Sequence, residues 1–208
     1  KIKFKIAIMF NGSDFIEKKF NFKKKIQSVF NNNTRKISIV RIAVKYKDLL
    51  KMKKYLSEFK KKGVKTCLNL MQINTIKKED LINCIKLIKS WNNVDIFYFA
   101  DSFGNLNPKH VKNLCITIKK YWKKEFGFHS HNNCGLAFKN ATEAYKHGAT
   151  WIDGTIRGMG RGAGNVSTES LLKYFNKYNY LSSKIRNISE GYFDDLKKKY
   201  KWGPSKYY

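Results

Sequence analysis

The sequence predicts an α/β fold with a parallel sheet and, within that class, a (β/α)8 barrel. Three observations carry the prediction. Short β-rich runs alternate with longer helical periods six times along the 208 residues, and repeated β-then-α units give parallel strands joined by right-handed crossovers. Polar residues gather at the C-terminal ends of several strand runs, as Arg41, Asn69, Asp101, His129, His131 and Asp153. Periodicity alone does not separate a barrel from a doubly wound sheet, but a barrel brings such strand ends into one ring, where barrel active sites lie. Length is the third observation: a full barrel takes about 250 residues, so six units leave two unaccounted for.

The first run, Phe4 to Phe10, ends at Asn11-Gly12-Ser13, and a helix is expected from about Asp14 to Phe30. Ser38 to Val44 is β-branched and reads as the second strand. Behind it Leu49, Leu50, Met52, Leu56 and Phe59 fall at helical spacing, with Gly63 as the C-terminal stop. Thr66 to Met71 is the third strand, and Leu81, Ile82, Ile85, Leu87 and Ile88 mark the next helix. Val94 to Ala100 is the fourth strand, with Pro108 where a helix begins and that helix running on through Val111 to Trp122. Glu125 to His131 is the fifth strand, Leu136 to His147 a helix stopped by Gly148, and Trp151 to Ile156 the sixth strand. A glycine-rich loop and a helix from about Ser167 to Phe175 close the series. Residues 1–176 are therefore read as a partial barrel, and 177–208 as the start of a C-terminal helical extension. In that extension Phe193, Leu196 and Tyr200 are expected to pack on the barrel, while the terminal Tyr207 and Tyr208 could approach a site but belong to no motif that assigns them.

Composition narrows the function. With 42% hydrophobic and 15% aromatic residues the chain has material for a core. At 28% charged residues it has no apolar run near the roughly 20 needed to span a bilayer. No signal-peptide pattern stands at the N-terminus. Cys67, Cys84, Cys115 and Cys134 are widely spaced with no C-x-x-C pair, which suits reduced thiols in the cytoplasm rather than a disulfide frame or a zinc ribbon. The net charge of +28 invites a nucleic-acid reading. Yet arginine stands only at positions 35, 41, 157, 161 and 186, and base or phosphate recognition leans on the arginine fork. The lysines cluster where surface helices are expected, as at 51, 53, 54, 60, 61 and 62, so they are read as solvated faces.

The sharpest local feature is Phe128-His129-Ser130-His131-Asn132-Asn133. Residues two apart in a strand share a face, so both imidazoles are able to enter one cavity, about 7 Å apart at Cα. Two neutral imidazoles at a strand end make half of a divalent metal site; a packed or surface pair is the alternative. A second loop, Gly158-Met159-Gly160-Arg161-Gly162-Ala163-Gly164-Asn165, satisfies the dinucleotide fingerprint on spacing through Gly158, Gly160 and Ala163. It lacks the following strand and acidic residue of such a site, and is read as a loop whose glycines let backbone approach a ligand.

Taken together, VRIAV at 40–44, FADSFG at 99–104, GFHSHNNCGLAFKN at 127–140 and WIDGTIRGMGRGAGN at 151–165 resemble the metal-dependent aldolase and lyase family. That family includes 4-hydroxy-2-oxovalerate aldolase and, more distantly, hydroxymethylglutaryl-CoA lyase and isopropylmalate synthase. The likeness runs from about Lys5 to Leu172. It implies a TIM barrel of which this chain supplies strands three to eight. By resemblance His129 and His131 match the two histidine metal ligands, Ser102 a substrate-contacting serine, and Asn165 a metal ligand of the lyase branch. Arg41, Asp101 and Asp153 are candidates to line a substrate site, or else form buried ion pairs and hydrogen bonds. Asn132 and Glu169 are placed around the ligands, Glu169 with a helix-capping role as the alternative.

The family's first strand carries a D-x-T-L-R-D-like motif with a third metal ligand and an arginine, and no such motif occurs in residues 1–208. The expectation is therefore a longer protein, with this stretch inactive alone. For the intact protein the resemblance implies an Mn²⁺- or Mg²⁺-dependent lyase that cleaves a 4-hydroxy-2-oxo acid to pyruvate and an aldehyde. It leaves open an aldehyde dehydrogenase partner or a homo-oligomer. Two alternatives stand beside it: a Claisen-type acyltransferase using an acyl-CoA, and a basic non-catalytic barrel that binds nucleic acid or anions. Because the imidazoles must be neutral, metal affinity is expected to fall below roughly pH 6.

Overall fold

A computed structural model describes residues 5–17, 21–31, 37–175, 185 and 187–204. Six strands form one parallel sheet in sequence order: β1 (Ile6–Asn11), β2 (Ile37–Val44), β3 (Lys65–Leu70), β4 (Ile96–Asp101), β5 (Phe126–Ser130) and β6 (Trp151–Ile152). The helices are α1 (Phe22–Asn31), α2 (Lys53–Lys61), α3 (Lys78–Ser90), α4 (Pro108–Tyr121), α5 (Ala137–Lys146), α6 (Thr168–Phe175) and α7 (Asp194–Tyr200).

One contact separates barrel from flat sheet. Strands lie about 4.8 Å apart, so β2 and β6 in a flat sheet stand about 19 Å from each other. Yet Arg41 of β2 bonds Asp153, just beyond β6, at 2.7 Å. The sheet is curled into a partial barrel. Between its outer face and the helices runs one apolar layer that includes Val40, Ile42, Leu68, Phe97, Phe99 and Phe128 from the strands and Leu56, Phe59, Ile85, Ile88, Val111 and Ile118 from the helices. Inside the curl, Ile39, Cys67, Ile96 and Tyr98 pack together with Trp151 against them. The inner face is open at β1, where Met9, in register with Arg41, is 64% exposed.

Local chemistry sets the boundaries. Pro108 occupies the first turn of α4 and the Asn107 side chain accepts from the His110 amide at 3.0 Å, satisfying a free helix donor. Gly63 after α2 and Gly148 after α5 have φ of 75° and 101°, the left-handed conformation that ends helices. The first helix begins later than its apolar spacing predicts. Residues 12–17 form turns, with Asp14 and Ile16 amides on the Asn11 and Ser13 carbonyls, and Gly12 N bonded to Ala43 O at 2.7 Å.

The sixth strand is also shorter than expected. After Ile152 only the Asp153 amide still bonds β5, through Phe128 O; Thr155 has turned away, its amide on Val166 O and its carbonyl on the Thr168 amide. In the C-terminal segment a π-helical turn, Ser189–Phe193, leads into α7. The expected anchor Tyr200 is 65% exposed, and the buried aromatic is instead Trp202, at 7%. Tyr207 and Tyr208 lie outside the described residues. Among the described residues no helix is long and apolar enough to cross a membrane.

Candidate active site

Strand alternation decides which side chains enter the barrel. Tyr98 lies in register with Gly127, and Ala100 with His129. A Cβ at position 127 would collide with the Tyr98 ring, so glycine there leaves that ring its place inside the curl. Asp101 and Ser130, one residue on, fall on the opposite face.

At the mouth, Asp153 Oδ2 accepts from Arg41 Nη1 at 2.7 Å and lies 2.9 Å from His129 Nδ1. Arg41 stacks on Tyr98, its guanidinium carbon 3.9 Å from the ring centroid. Burial alone pushes the Asp153 carboxyl up, but the bonds and charges of His129 and Arg41 outweigh it and hold the carboxyl below its usual range. Burial disfavours the Arg41 charge, and Asp153 together with Cys67 and Tyr98 more than restores it. Facing an anionic acceptor, Nδ1 of His129 is the donor, so the neutral tautomer that pairs with Asp153 has its lone pair on Nε2. A carboxylate behind the imidazole is how proteins orient metal-ligating histidines.

The His131 ring stands 5.1 Å from that of His129, centroid to centroid and near perpendicular. Burial, with added repulsion from His129 and Arg161, pushes its pKa down to about 4. Near neutral pH it therefore also offers a lone pair.

The glycine loop comes up against this pair. His131 and Asn165 form an isolated antiparallel bridge, and the Asn132 amide donates to Gly164 O at 2.8 Å. Asn165 Nδ2 donates to Met159 O at 2.9 Å, while Oδ1 is buried without a hydrogen-bond partner. A Cβ at Gly160 would fall 2.6 Å from Asn165 Nδ2, and one at Gly164 (φ +85°) would collide with Gly158 O. Gly158 and Gly162 also take positive φ. The non-glycine Arg157 sits at φ 55°, its amide held by both Glu169 oxygens at 3.0 and 3.2 Å. Glu169 thus anchors the loop from the first turn of α6.

Other predicted residues are placed differently. Asp101 does not line the mouth: it is fully buried on the outer face, and its two oxygens accept from the Asn105 and Leu106 amides at 3.2 and 3.1 Å. Of the two expectations for Asp101, the buried hydrogen bonds are the ones seen, and they hold the β4–α4 loop. Asn132 likewise directs Oδ1 to the Ala137 amide at 3.1 Å, at the start of α5. Ser102 Oγ accepts from the Gln72 amide at 2.9 Å, which fixes Gln72 at a left-handed φ of 56°. Such backbone strain in a non-glycine residue often marks ligand-binding loops. Tyr98 and Gln72 were not singled out from the sequence. Alternation along Val94–Ala100 carried a signal for Tyr98, which shares a face with Ala100; none existed for Gln72.

Among the described residues no group of three or more His, Cys, Asp or Glu side chains is placed to hold a metal ion. The donors at hand are His129 Nε2, one His131 nitrogen and the orphaned Asn165 Oδ1. A mixed nitrogen and oxygen set of this kind fits a catalytic divalent ion with positions left for other ligands. A separate groove of about 640 Å³, between α3 and α4 and lined by Ile76, Leu81, His110 and Leu114 among others, holds none of these donors.

Residues 3–186 match the HMGL-like family. The chain is 36% identical over 141 residues to 4-hydroxy-2-oxovalerate aldolase of Geobacillus genomosp. 3, covering 68% of the chain and 42% of that relative. It is 35% identical over 144 residues to the enzyme of the same name from Pelotomaculum thermopropionicum, covering 69% and 42%. The chain thus spans less than half the length of these curated relatives. The N-terminal domain of a candidate aldolase from Bacteroides vulgatus superposes with a TM-score of 0.82 at 31% identity, over 97% of this chain and 66% of that one. The HMG-CoA lyase of Bacillus subtilis superposes at 0.75 with 16% identity, over 96% and 72%, a likeness of fold alone. With both histidines, the FADSFG segment and the glycine loop inside the matched span, the chain belongs to the HMGL-like family.

Proposed function

We propose that the protein is a divalent-metal-dependent carbon–carbon lyase that cleaves a 4-hydroxy-2-oxo acid to pyruvate and an aldehyde. The observation that carries this reading is the Arg41–Asp153–His129 arrangement, which turns His129 Nε2 away from Asp153 with the His131 ring 5.1 Å from its own; the Asn165 backbone is bridged to His131 and its Oδ1 has no hydrogen-bond partner. The curated relatives named 4-hydroxy-2-oxovalerate aldolase supply the substrate class. When bound, Mn²⁺ or Mg²⁺ supplies Lewis-acid polarisation of a 2-oxo group.

This stretch supplies part of the site, and the third metal ligand and the arginine that the resemblance implies are expected outside it. His129 and His131 would hold the ion, with Asn165 Oδ1 as a further donor. Asp153 fixes the His129 tautomer, and Arg41, buried beneath it, keeps Asp153 ionised. Ser102 and Gln72 shape the neighbouring rim. Cleavage breaks the C3–C4 bond, the 4-hydroxyl loses its proton, the electron pair passes to C3, and C3 is protonated to give pyruvate.

The test is pyruvate release by the full-length protein, followed through lactate dehydrogenase. Activity lost on chelation, restored by Mn²⁺ or Mg²⁺ and absent from His131→Ala is expected. Metal-independent pyruvate release, or release of free thiol from acetyl-CoA in its place, overturns the reading.

A further inference from the structure

The C-terminal segment makes a set of contacts with the glycine loop that the proposed chemistry leaves unused. Trp202 is buried, and its indole N–H donates to Arg157 O at 3.1 Å. The next amide, Gly203 N, donates to Gly162 O at 3.0 Å. Arg157 Nε and Nη2 reach Asp194 Oδ1 at 2.8 and 2.6 Å. The Trp202 ring also stands against Gly164: a Cβ there would lie 3.7 Å from Cδ1. Positions 157, 162 and 164 of one loop are therefore fixed from a single outside element.

Such a loop needs fixing. Gly158, Gly162 and Gly164 all take positive φ, and glycine loses more conformational freedom on ordering than any other residue. Within the loop only a few bonds offset that cost, among them Gly164 N to Arg161 O and Asn165 N to Gly158 O. At its far end the loop pairs the backbone of Asn165 with that of His131, and the unpartnered Oδ1 belongs to that residue.

We propose that residues 194–203 are a strap that holds the glycine loop in register, so that Asn165 Oδ1 stays beside His131 for a divalent cation. Trp202 is its positioning residue, acting through Asn165. The part concerning the cation rests on the metal-site reading above.

The experiment uses the full-length protein with Trp202→Ala, Trp202→Phe, Asp194→Asn, Asn165→Ala and the Trp202→Ala/Asn165→Ala double variant. Hydrogen exchange is measured over residues 157–165, and Mn²⁺ affinity by the electron paramagnetic resonance of the free ion. Trp202→Ala and Asp194→Asn are expected to speed exchange in that segment alone, and Trp202→Ala to weaken Mn²⁺ binding about tenfold. Trp202→Phe, which keeps the ring, restores most of both. In the Asn165→Ala background Trp202→Ala costs no further affinity, since the coupled path is already gone.

Unchanged exchange in Trp202→Ala and Asp194→Asn overturns the strap. An equal affinity loss with and without Asn165 overturns the positioning role, because it reports general loosening. If the unsubstituted protein binds no Mn²⁺, the metal reading fails by itself, and the exchange result alone then decides whether the strap exists.

Discussion

His129 Nδ1 and Asp153 Oδ2 stand 2.9 Å apart, and that pairing leaves the other imidazole nitrogen free at the barrel mouth. The same oxygen takes Arg41 at 2.7 Å. Asp153→Asn removes the carboxylate charge that both partners face. Arg41, with a side chain 14% exposed, is then buried without a counter-ion. Stability is expected to fall by about 3 kcal/mol in urea unfolding, with metal affinity down about tenfold or more. An apolar pair, Arg41→Met with Asp153→Leu, recovers stability but not metal binding. Recovery of both shows that the carboxylate does not orient His129.

The imidazole of His131 gives a pH signature. Its pKa of about 4 in the folded protein lies below the ordinary histidine value of about 6.5. A basic group depressed on folding takes up its proton more readily when unfolded. Stability is therefore fully present above about pH 6.5 and declines as pH falls toward 4. The metal-free protein should show a His131 proton resonance titrating near 4, and His131→Gln should remove that part of the decline. This places His131's competition with protons lower than the roughly pH 6 expected from composition. A midpoint near 6.5 contradicts the burial argument.

Asp95 carries the opposite sign. Burial pushes its carboxyl up, but Lys60, bonded to both oxygens at 2.5 and 2.8 Å, and the Thr66 amide and hydroxyl leave it below the usual range. Its contribution is complete above the unfolded carboxylate pKa of about 3.9 and is lost as pH falls through the lower folded value. Because Lys60 is largely in water, Asp95→Ala is expected to cost only about 1 kcal/mol at pH 6. Thermal melts of variant and parent should converge once the pH is below the lowered folded pKa. A gap that persists there assigns the loss to packing instead.

Two glycines separate conformational strain from collision. Gly63 and Gly164 have φ of 75° and 85°, but a Cβ meets nothing within 4 Å at Gly63 and runs into Gly158 O at Gly164. Gly63→Ala should cost about 1 kcal/mol and leave metal affinity alone. Gly164→Ala should cost roughly 2–3 kcal/mol and weaken metal binding as well. Equal effects on binding would mean that the loop does not position Asn165.

Much of this was legible in the residues themselves. The six β-then-α units, the stop at Gly63, the start at Pro108 and the shared face of His129 and His131 follow from periodicity and local chemistry. What escaped depends on contacts between distant positions. Asp101 falls at a strand end in sequence, yet one step of the pleat puts it on the outer face with loop amides. The sixth strand was read too long because Thr155 and Ile156 are β-branched, and only the return of residues 166–168 shows why the chain leaves the sheet. Trp202 was passed over for Tyr200, since the period of an isolated helix does not reveal a loop waiting beyond its end.

The Arg41–Asp153 contact joins positions 112 residues apart, and that separation has a kinetic meaning. The pair closes the curl from β2 to just past β6, so it is able to form only after the intervening strands have assembled, late on the folding path. Interactions absent from the transition state act on the escape rate rather than on the rate of formation. Arg41→Met should leave refolding nearly unchanged and shorten the lifetime of the native state, read from the two arms of a chevron plot. The contact that orders the mouth of the barrel then also times how long that mouth stays assembled.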